Sequence, residues 1–347
     1  MARRKSTAGV LPLFAEQETE TEAAPPARAV APTLVSGAPT PTALKWSHSK
    51  RGTLAQCARQ FYYQYYGANR GVAKDDPNKA ELKRLKLIGN RHERTGQILH
   101  FVIAYYLREA QEERVHTTDG MVTWARRAFQ KDVSFSLQGF DNVTLSTEER
   151  APHFLMEFLH EPEARALCRE AEDEMVAALT AFMESVRFRE LRELGMRPGA
   201  LVEKNFHRLP DVAFGVRGQV DLAHRNEESG EVTIVDWKSG EDTGAGDDSL
   251  QLAVYALWAR DFFGCDARDI QLCKAFLGAE EIVPFPVTDR TLRSARLRMI
   301  QDSELFLRMH EYGCAGVAEA FTPCAQEAVC RGCAFVTVCP EGKESIA

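Results

Sequence analysis

Between residues 201 and 286, apolar and polar positions alternate in short runs, the period of strands with one buried face. This pattern predicts strands at about 201–208, 214–224, 231–237, 270–276 and 282–286. A segment of helical period separates the third strand from the fourth, which predicts a helix at about 248–262. A second helix is predicted at about 289–310. This order predicts an α/β (α+β) fold with a mixed central sheet flanked by helices.

The residues before this sheet follow a helical period instead. One helix is predicted through Leu54, Cys57, Phe61 and Tyr65, and its aromatic residues could serve packing or base stacking. A second helix is predicted at about 95–113. Its apolar stripe consists of Ile98, Phe101, Val102, Tyr105 and Tyr106. Residues 115–195 carry no recognisable chemistry, and we interpret them as a large helical insertion.

The first 43 residues are rich in Ala, Pro, Thr and Glu and poor in large apolar residues, which predicts a disordered tail. We therefore divide the chain into four parts. Residues 1–43 are the tail, 44–200 an N-terminal helical part, 201–312 the core with the sheet, and 313–347 a C-terminal segment with clustered cysteines.

Two predicted strands near the centre of the chain form a hairpin that carries candidate chemistry. The connection, residues 226–230, is polar and ends in Gly230. Because side chains repeat every two residues along a strand, the hairpin brings Asp221 near Asp236, with Lys238 one step further on the same face. Two carboxylates beside a lysine suit a hard divalent cation. The alternative is a surface ion pair with little effect on stability.

The cysteines near the C-terminus have the spacing of metal ligands. Cys330 and Cys333 form a C-x2-C pair, Cys339 follows, and Cys324 precedes them. In a reducing compartment such spacing indicates a metal site and not a disulfide framework. Both Zn²⁺ and an iron–sulfur cluster use four thiolates, so spacing alone leaves the metal open.

Charge and hydropathy narrow the class of protein. The net charge is −7 over 347 residues, which does not indicate nucleic-acid binding. However, residues 45–108, with a basic connection at about 69–93, contain 13 Lys or Arg against 4 Asp or Glu, enough for a local phosphate-binding surface or a solvated helix face. No apolar run has the length of a membrane helix, and no signal-peptide segment follows the N-terminus, so a cytoplasmic protein without membrane contact is predicted.

Six sequence features in a fixed order resemble the RecB-type nucleases of the PD-(D/E)XK superfamily, which have a restriction-endonuclease-like fold. They most resemble the iron–sulfur branch found in AddAB-type helicase–nucleases and CRISPR-adaptation nucleases. The resemblance covers about residues 44–110 and 200–342. The six features are a Ser-x-Ser and Cys segment at 47–57, G-Q-I-L-H at 96–100, G-Q-V-D at 218–221, V-D-W-K at 235–238, Q-L-A-V-Y at 251–255 and C-x2-C-x5-C at 330–339.

The resemblance implies roles for these residues. His100, Asp221 and Asp236 would be ligands of Mg²⁺ or Mn²⁺, with His92 as a weaker candidate for the histidine. Lys238 would be the catalytic lysine, and Gln251 and Tyr255 would support the site. The implied ligands of a [4Fe-4S] cluster are Cys57, Cys330, Cys333 and Cys339.

The resemblance implies a metal-dependent deoxyribonuclease, an exonuclease acting on single-stranded DNA or DNA ends in repair, recombination or CRISPR-type processing, with a helicase or other repair protein as partner. Two departures matter. Ala58 follows Cys57 where the family often has Pro, and Cys324 is an additional cysteine that keeps zinc open as the metal. Glu203 on the preceding strand could add a carboxylate, although we expect it at the surface. A catalytically silent DNA-binding or scaffold module, held together by a cluster or zinc, is the alternative.

Overall fold

The computed structural model describes residues 44–68, 78–148, 151–210, 212–240 and 248–347. The predicted tail, residues 1–43, and part of the predicted basic connection, residues 69–77, lie outside the described residues. The helices and strands, in chain order, are α1 (His48–Gln56), α2 (Ala58–Tyr62), α3 (Lys79–Leu85), α4 (Arg91–Gln111), α5 (Thr118–Ser136), α6 (Glu157–His160), α7 (Ala164–Glu184), α8 (Arg189–Met196), β1 (Leu201–Phe206), β2 (Gly218–Arg225), β3 (Val232–Lys238), α9 (Ser249–Phe263), β4 (Ile270–Phe276), β5 (Glu281–Phe285), α10 (Asp289–Cys314), α11 (Glu327–Arg331) and α12 (Pro340–Ile346).

Within the described part of the chain, five strands form one mixed sheet in the order β1-β2-β3-β4-β5. Strands β1, β2 and β3 are antiparallel neighbours, while β3 and β4 run parallel and are joined through α9. Strand β5 closes the sheet antiparallel to β4. The predicted mixed sheet flanked by helices is therefore confirmed, with every predicted strand present.

Hydrophobic residues pack on both faces of this sheet. One cluster joins Ile234 of β3 and Leu272 of β4 to α9, α10 and the aromatic helix α2. The other joins Val235 and Trp237 of β3 to α4, α5 and α7. The predicted helical insertion thus covers one sheet face. No described helix is both long and apolar enough to span a membrane.

Helix α4 begins one turn earlier than the apolar period predicts. The side chain of Asn90 caps it by accepting a hydrogen bond from the backbone N–H of Glu93 at 2.8 Å.

The predicted apolar stripe of α4 is partly wrong, because Phe101 is 53% exposed whereas Leu99 and Ile103 are buried. This rotation of the buried face turns His100 toward the sheet edge.

Strand β2 begins later than predicted because the residues before it pair with a different segment. Trp46 and Val216 form a parallel bridge, in which the backbone N–H of Trp46 donates to the Gly215 carbonyl and that of Arg217 donates to the Trp46 carbonyl, both at 2.8 Å. The Trp46 indole is buried and donates to Asp302 at 3.0 Å. The segment around Trp46 is therefore held directly beside the start of β2.

The aromatic residues after Cys57 serve packing. Phe61, Tyr62 and Tyr66 are buried, and all three contact Phe321. Helix α2 continues into a π-helical turn, Tyr63–Gly67, where the ring of Tyr66 faces Gly313 of α10. Close packing at Gly313 therefore joins the N-terminal and C-terminal parts of the chain.

We predict that Gly313→Ala destabilises the fold by about 1–3 kcal/mol, because a Cβ at this position would lie 2.5 Å from the Tyr66 ring, which is itself packed on all sides. Gly52→Ala is the matched control. Gly52 lies inside α1 with no atom within 4 Å of its added Cβ, so this change should be neutral or stabilising by up to about 1 kcal/mol. Denaturant unfolding of both variants in the same metal state measures the difference, and equal effects would contradict the packing argument.

Candidate metal centre

The β2–β3 hairpin brings Asp221 and Asp236 together as predicted. Leu222 pairs with Val235, so the two aspartates follow this pair on adjacent strands. Beyond it the strands separate, and Asp221 turns into the gap, where its Oδ2 accepts a hydrogen bond from the backbone N–H of Trp237 at 2.8 Å. Both aspartates are buried. They are therefore not members of a surface ion pair.

Glu203 of β1 adds a third carboxylate beside Asp221. The pairs Val202–Leu222 and Lys204–Val220 put Glu203 opposite Asp221 across β1 and β2. The Gln219 side-chain amide donates to its Oε2. The expectation of a surface residue is wrong, since the Glu203 side chain is only 14% exposed. Glu203 also has a φ of 52°, a left-handed conformation that costs a residue with a Cβ about 1–2 kcal/mol.

Helix α4 delivers the predicted histidine to these carboxylates. The Nδ1 atom of His100 lies 3.4 Å from Glu203 Oε1 and 3.4 Å from Asp221 Oδ1. Burial disfavours the imidazolium, but Asp221 and Glu203 outweigh it and hold the pKa of His100 well above its ordinary value. The surroundings of His100 therefore favour positive charge at this point. His92, the weaker candidate, is exposed on the first turn of α4 beside Glu174.

His100, Glu203 and Asp221 each offer a ligand atom, and these atoms all lie within 4.8 Å of one another. An imidazole nitrogen and carboxylate oxygens suit a divalent cation such as Mg²⁺ or Mn²⁺. Asp236 adjoins this group. Its pKa is raised to about 6, chiefly by burial and then by the charge of Asp221. The carboxylates therefore form a concentrated negative charge, which a bound cation would offset.

Lys238 lies at the end of β3, against Asp236. Its Nζ is 2.9 Å from Asp236 Oδ2 and 3.7 Å from Asp248 Oδ2, and it donates to Gln251 Oε1 at 3.4 Å. Burial disfavours the ammonium, but these carboxylates outweigh it and raise the pKa of Lys238. Lys238 therefore remains protonated, and these contacts fix the direction of its ammonium group.

Helix α9 supplies the other two predicted residues on one face, four positions apart. Gln251 Nε2 donates to the Tyr255 hydroxyl at 2.7 Å. Burial raises the pKa of Tyr255 well above its ordinary value, and the charges of Asp221 and Asp236 add to the rise. Asp236, Lys238, Gln251 and Tyr255 thus form one connected polar network.

The predicted cysteine ligands meet at a second place. Cys57 lies between α1 and α2, and it lines one small cavity together with Cys324, Cys330, Cys333 and Cys339. Burial raises the pKa of Cys333 to about 12, and negative charge on Cys57, Cys339 and Cys330 adds to this rise. A metal that withdraws charge from these sulfurs would relieve that repulsion.

The structure thus places His100, Asp221, Asp236, Lys238, Gln251 and Tyr255 beside one another and the four predicted cysteines around a separate cavity. Sequence reasoning underestimated Glu203. The signal for Glu203 was present in the pairing register, because an acid opposite Asp221 on β1 must share its surroundings if the hairpin extends into a third strand. The alternation pattern alone could not supply that register.

Two comparisons with known proteins bear on this geometry. No curated protein matches the chain. The family model described as the PD-(D/E)XK nuclease superfamily matches residues 45–340, a range that contains the acidic site, His100, the α9 network and the clustered cysteines. The chain belongs to the PD-(D/E)XK nuclease superfamily.

Proposed function

We propose that this protein is a deoxyribonuclease that hydrolyses phosphodiester bonds with Mg²⁺ or Mn²⁺. The observation that carries this proposal is the convergence of His100, Glu203 and Asp221 within 4.8 Å, next to the paired Asp236 and Lys238. A divalent ion bound there would polarise the scissile phosphate and lower the pKa of a water molecule.

The charges of the site fit such an ion. Glu203, Asp221 and Asp236 carry three negative charges, of which Lys238 offsets one. A divalent cation offsets the remaining two when His100 binds it as a neutral imidazole, the form in which histidine binds metals. We propose His100, Asp221 and Asp236 as ligands, with Glu203 as a further one.

The remaining residues act by position and charge. Lys238, aimed by Asp236 and Gln251, would orient the attacking water and stabilise the negative charge that develops on the phosphoryl oxygens. Gln251 is itself fixed by Tyr255, whose hydroxyl accepts from the amide. Hydrolysis then joins the water oxygen to phosphorus, breaks the bond to the leaving alcohol and returns a proton to that alcohol.

The narrower function follows from the sequence resemblance. We propose a RecB-like nuclease that acts as an exonuclease on single-stranded DNA or DNA ends, in repair, recombination or CRISPR-type processing. A helicase or other repair protein would supply unwinding. A cytoplasmic location also stays a prediction.

We also propose that Cys57, Cys330, Cys333 and Cys339 hold a [4Fe-4S] cluster. All four cysteines line one small cavity, and both zinc and a cluster can use four thiolates. The order of Cys57 followed by C-x2-C-x5-C at 330–339, which resembles the iron–sulfur branch, favours a cluster over zinc. The cluster would connect α2 to the C-terminal segment and close a loop of about 270 residues.

Asp236→Asn and Lys238→Met should each lower cleavage of single-stranded and duplex DNA at least about 100-fold, because each removes a charge from the reacting centre. Asp141→Asn, at a 93% exposed carboxylate, is the control and should keep full activity. Gel assays with Mg²⁺, Mn²⁺ or EDTA measure the effect. A wild-type protein that binds DNA but leaves it intact with either ion would instead support the silent DNA-binding module.

Glu203→Gln should raise the Mg²⁺ or Mn²⁺ concentration needed for half-maximal cleavage about tenfold or more, since one of the carboxylates around the ion is lost. Calorimetry with Mn²⁺ alone should give a matching loss of affinity. The control is Glu280→Gln, because Glu280 also has a left-handed φ, 51°, but lies in an exposed turn. Unchanged metal affinity in Glu203→Gln would remove Glu203 from the ligand set.

Anaerobic purification should yield a brown protein with about four irons per chain, as a [4Fe-4S] cluster requires. Cys57→Ala and Cys333→Ala should lose the iron and unfold at lower temperature, whereas Cys265→Ala, at a cysteine outside this cavity, should keep both properties. Cys324→Ala should also retain the iron. A colourless protein with one zinc per chain would overturn the cluster and leave the nuclease proposal intact.

A further inference from the structure

A groove of about 680 Å³ opens directly beside the acidic site. Gln251 and Tyr255 of the site network form one part of its lining. A second wall is formed by residues 45–50, which include the Ser-x-Ser segment, and by the residues at the start of β2. The groove therefore adjoins the acidic site through Gln251 and Tyr255, while the chemistry described so far uses none of residues 45–50.

The groove is basic in a chain whose net charge is −7. Lys45, Lys50 and Arg217 line it with His48 and His207, and none of the described residues that line it is Asp or Glu. Arg217 is exposed and Lys45 is half-buried, so both can contact a molecule in the groove. An electropositive concavity of this kind attracts anions.

Lys50 contributes a buried positive charge to the same wall. It is 4% exposed, and its Nζ donates to the Lys45 carbonyl at 2.6 Å. Burial first, and then the charges of Arg217 and Lys45, lower the pKa of Lys50 to about 8. These cations repel one another, and an anion among them would reduce the repulsion.

Strand β2 connects this wall to the acidic site. Arg217 and Gln219 line the groove, and Gln219 donates to Glu203, the neighbour of Asp221. In an extended chain, residues 217, 219 and 221 lie on the same side. Four residues at roughly 3.3 Å each place Arg217 about 13 Å from Asp221. That distance corresponds to about four nucleotides of a helical strand, at roughly 3.4 Å each, or fewer of an extended one.

We propose that this groove binds the sugar–phosphate backbone of the DNA strand being cleaved, with Lys45 and Arg217 contacting phosphates a few nucleotides from the scissile one and Lys50 holding the 45–50 segment in place. This inference rests on the proposed function, since it assigns the groove to the same strand. The N-terminal end of α1 adds its partial positive charge, because residues 47–50 also line the groove.

Two aromatic residues that line the groove are already engaged in packing. Trp46 is 1% exposed, and Lys50 lies over the ring of Tyr65 at 4.9 Å. We therefore do not expect bases to stack on these two rings. Binding should consequently depend on phosphate charge and salt, and not on base sequence.

The experiment measures binding of a fluorescent twelve-nucleotide oligo-dT in the Asp236→Asn background, by anisotropy across a salt series. Lys45→Gln and Arg217→Gln should each weaken binding about tenfold at low salt, and each should reduce the slope of log K against log salt by about 0.7 for the phosphate contact it loses. Arg268→Gln is the matched control with the same charge change. Its side chain is 82% exposed and precedes β4, at the end of the sheet where Ile270 pairs with Val232, away from Asp236.

Wild-type affinity and salt slope in both folded variants, checked by thermal unfolding, would overturn the groove assignment even if the enzyme cleaves DNA. Equal losses in Lys45→Gln, Arg217→Gln and Arg268→Gln would overturn it too, since they would indicate only a general charge effect. Because binding needs no cleavage, selective losses together with a wild-type protein that leaves DNA intact would refute the nuclease proposal while supporting the groove as a DNA-binding surface. A mixed-sequence oligonucleotide should give the same pattern as oligo-dT.

Discussion

Three carboxylates on three adjacent strands must share one partly buried pocket, and compensation of their charge is the constraint on which the site depends. Asp221 lies between Glu203 and Asp236, and burial together with the charge of Asp221 raises the pKa of Asp236. His100 from α4 on one side and Lys238 on the other provide positive charge against these carboxylates. Helix α4, the sheet and α9 are all needed to bring these charges together.

This constraint explains why the site spans so much of the chain. His100 comes from the N-terminal helical part, the carboxylates from the sheet, and Gln251 and Tyr255 from the crossover helix. The helices on one face of the sheet support α4, and those on the other support α9. Cys57, which precedes α2, and the clustered cysteines of the C-terminal segment line one cavity, so residues about 270 positions apart in the chain meet there.

The sequence predicted the strands, the hairpin and the meeting of Asp221 with Asp236, because the two-residue period and the polar turn determine them locally. It predicted His100 only through the order of motifs, since a histidine on a helix does not reveal which way it faces. The stripe that included Phe101 was wrong because α4 buries a different face, with Leu99 and Ile103. Glu203 and the bridge from Trp46 to Val216 depend on pairing between distant segments, which local patterns do not encode.

The backbone conformation of Glu203 shows that the site has a cost for the stability of the fold. A left-handed φ of 52° is the conformation that glycine adopts without penalty. Selection for folding alone would therefore favour glycine at this position in β1, at the loss of the side chain that approaches His100. With Glu203 as a metal ligand, as proposed, thermodynamic stability and activity favour different residues at position 203, and variants selected only for heat resistance should tend to lose glutamate there.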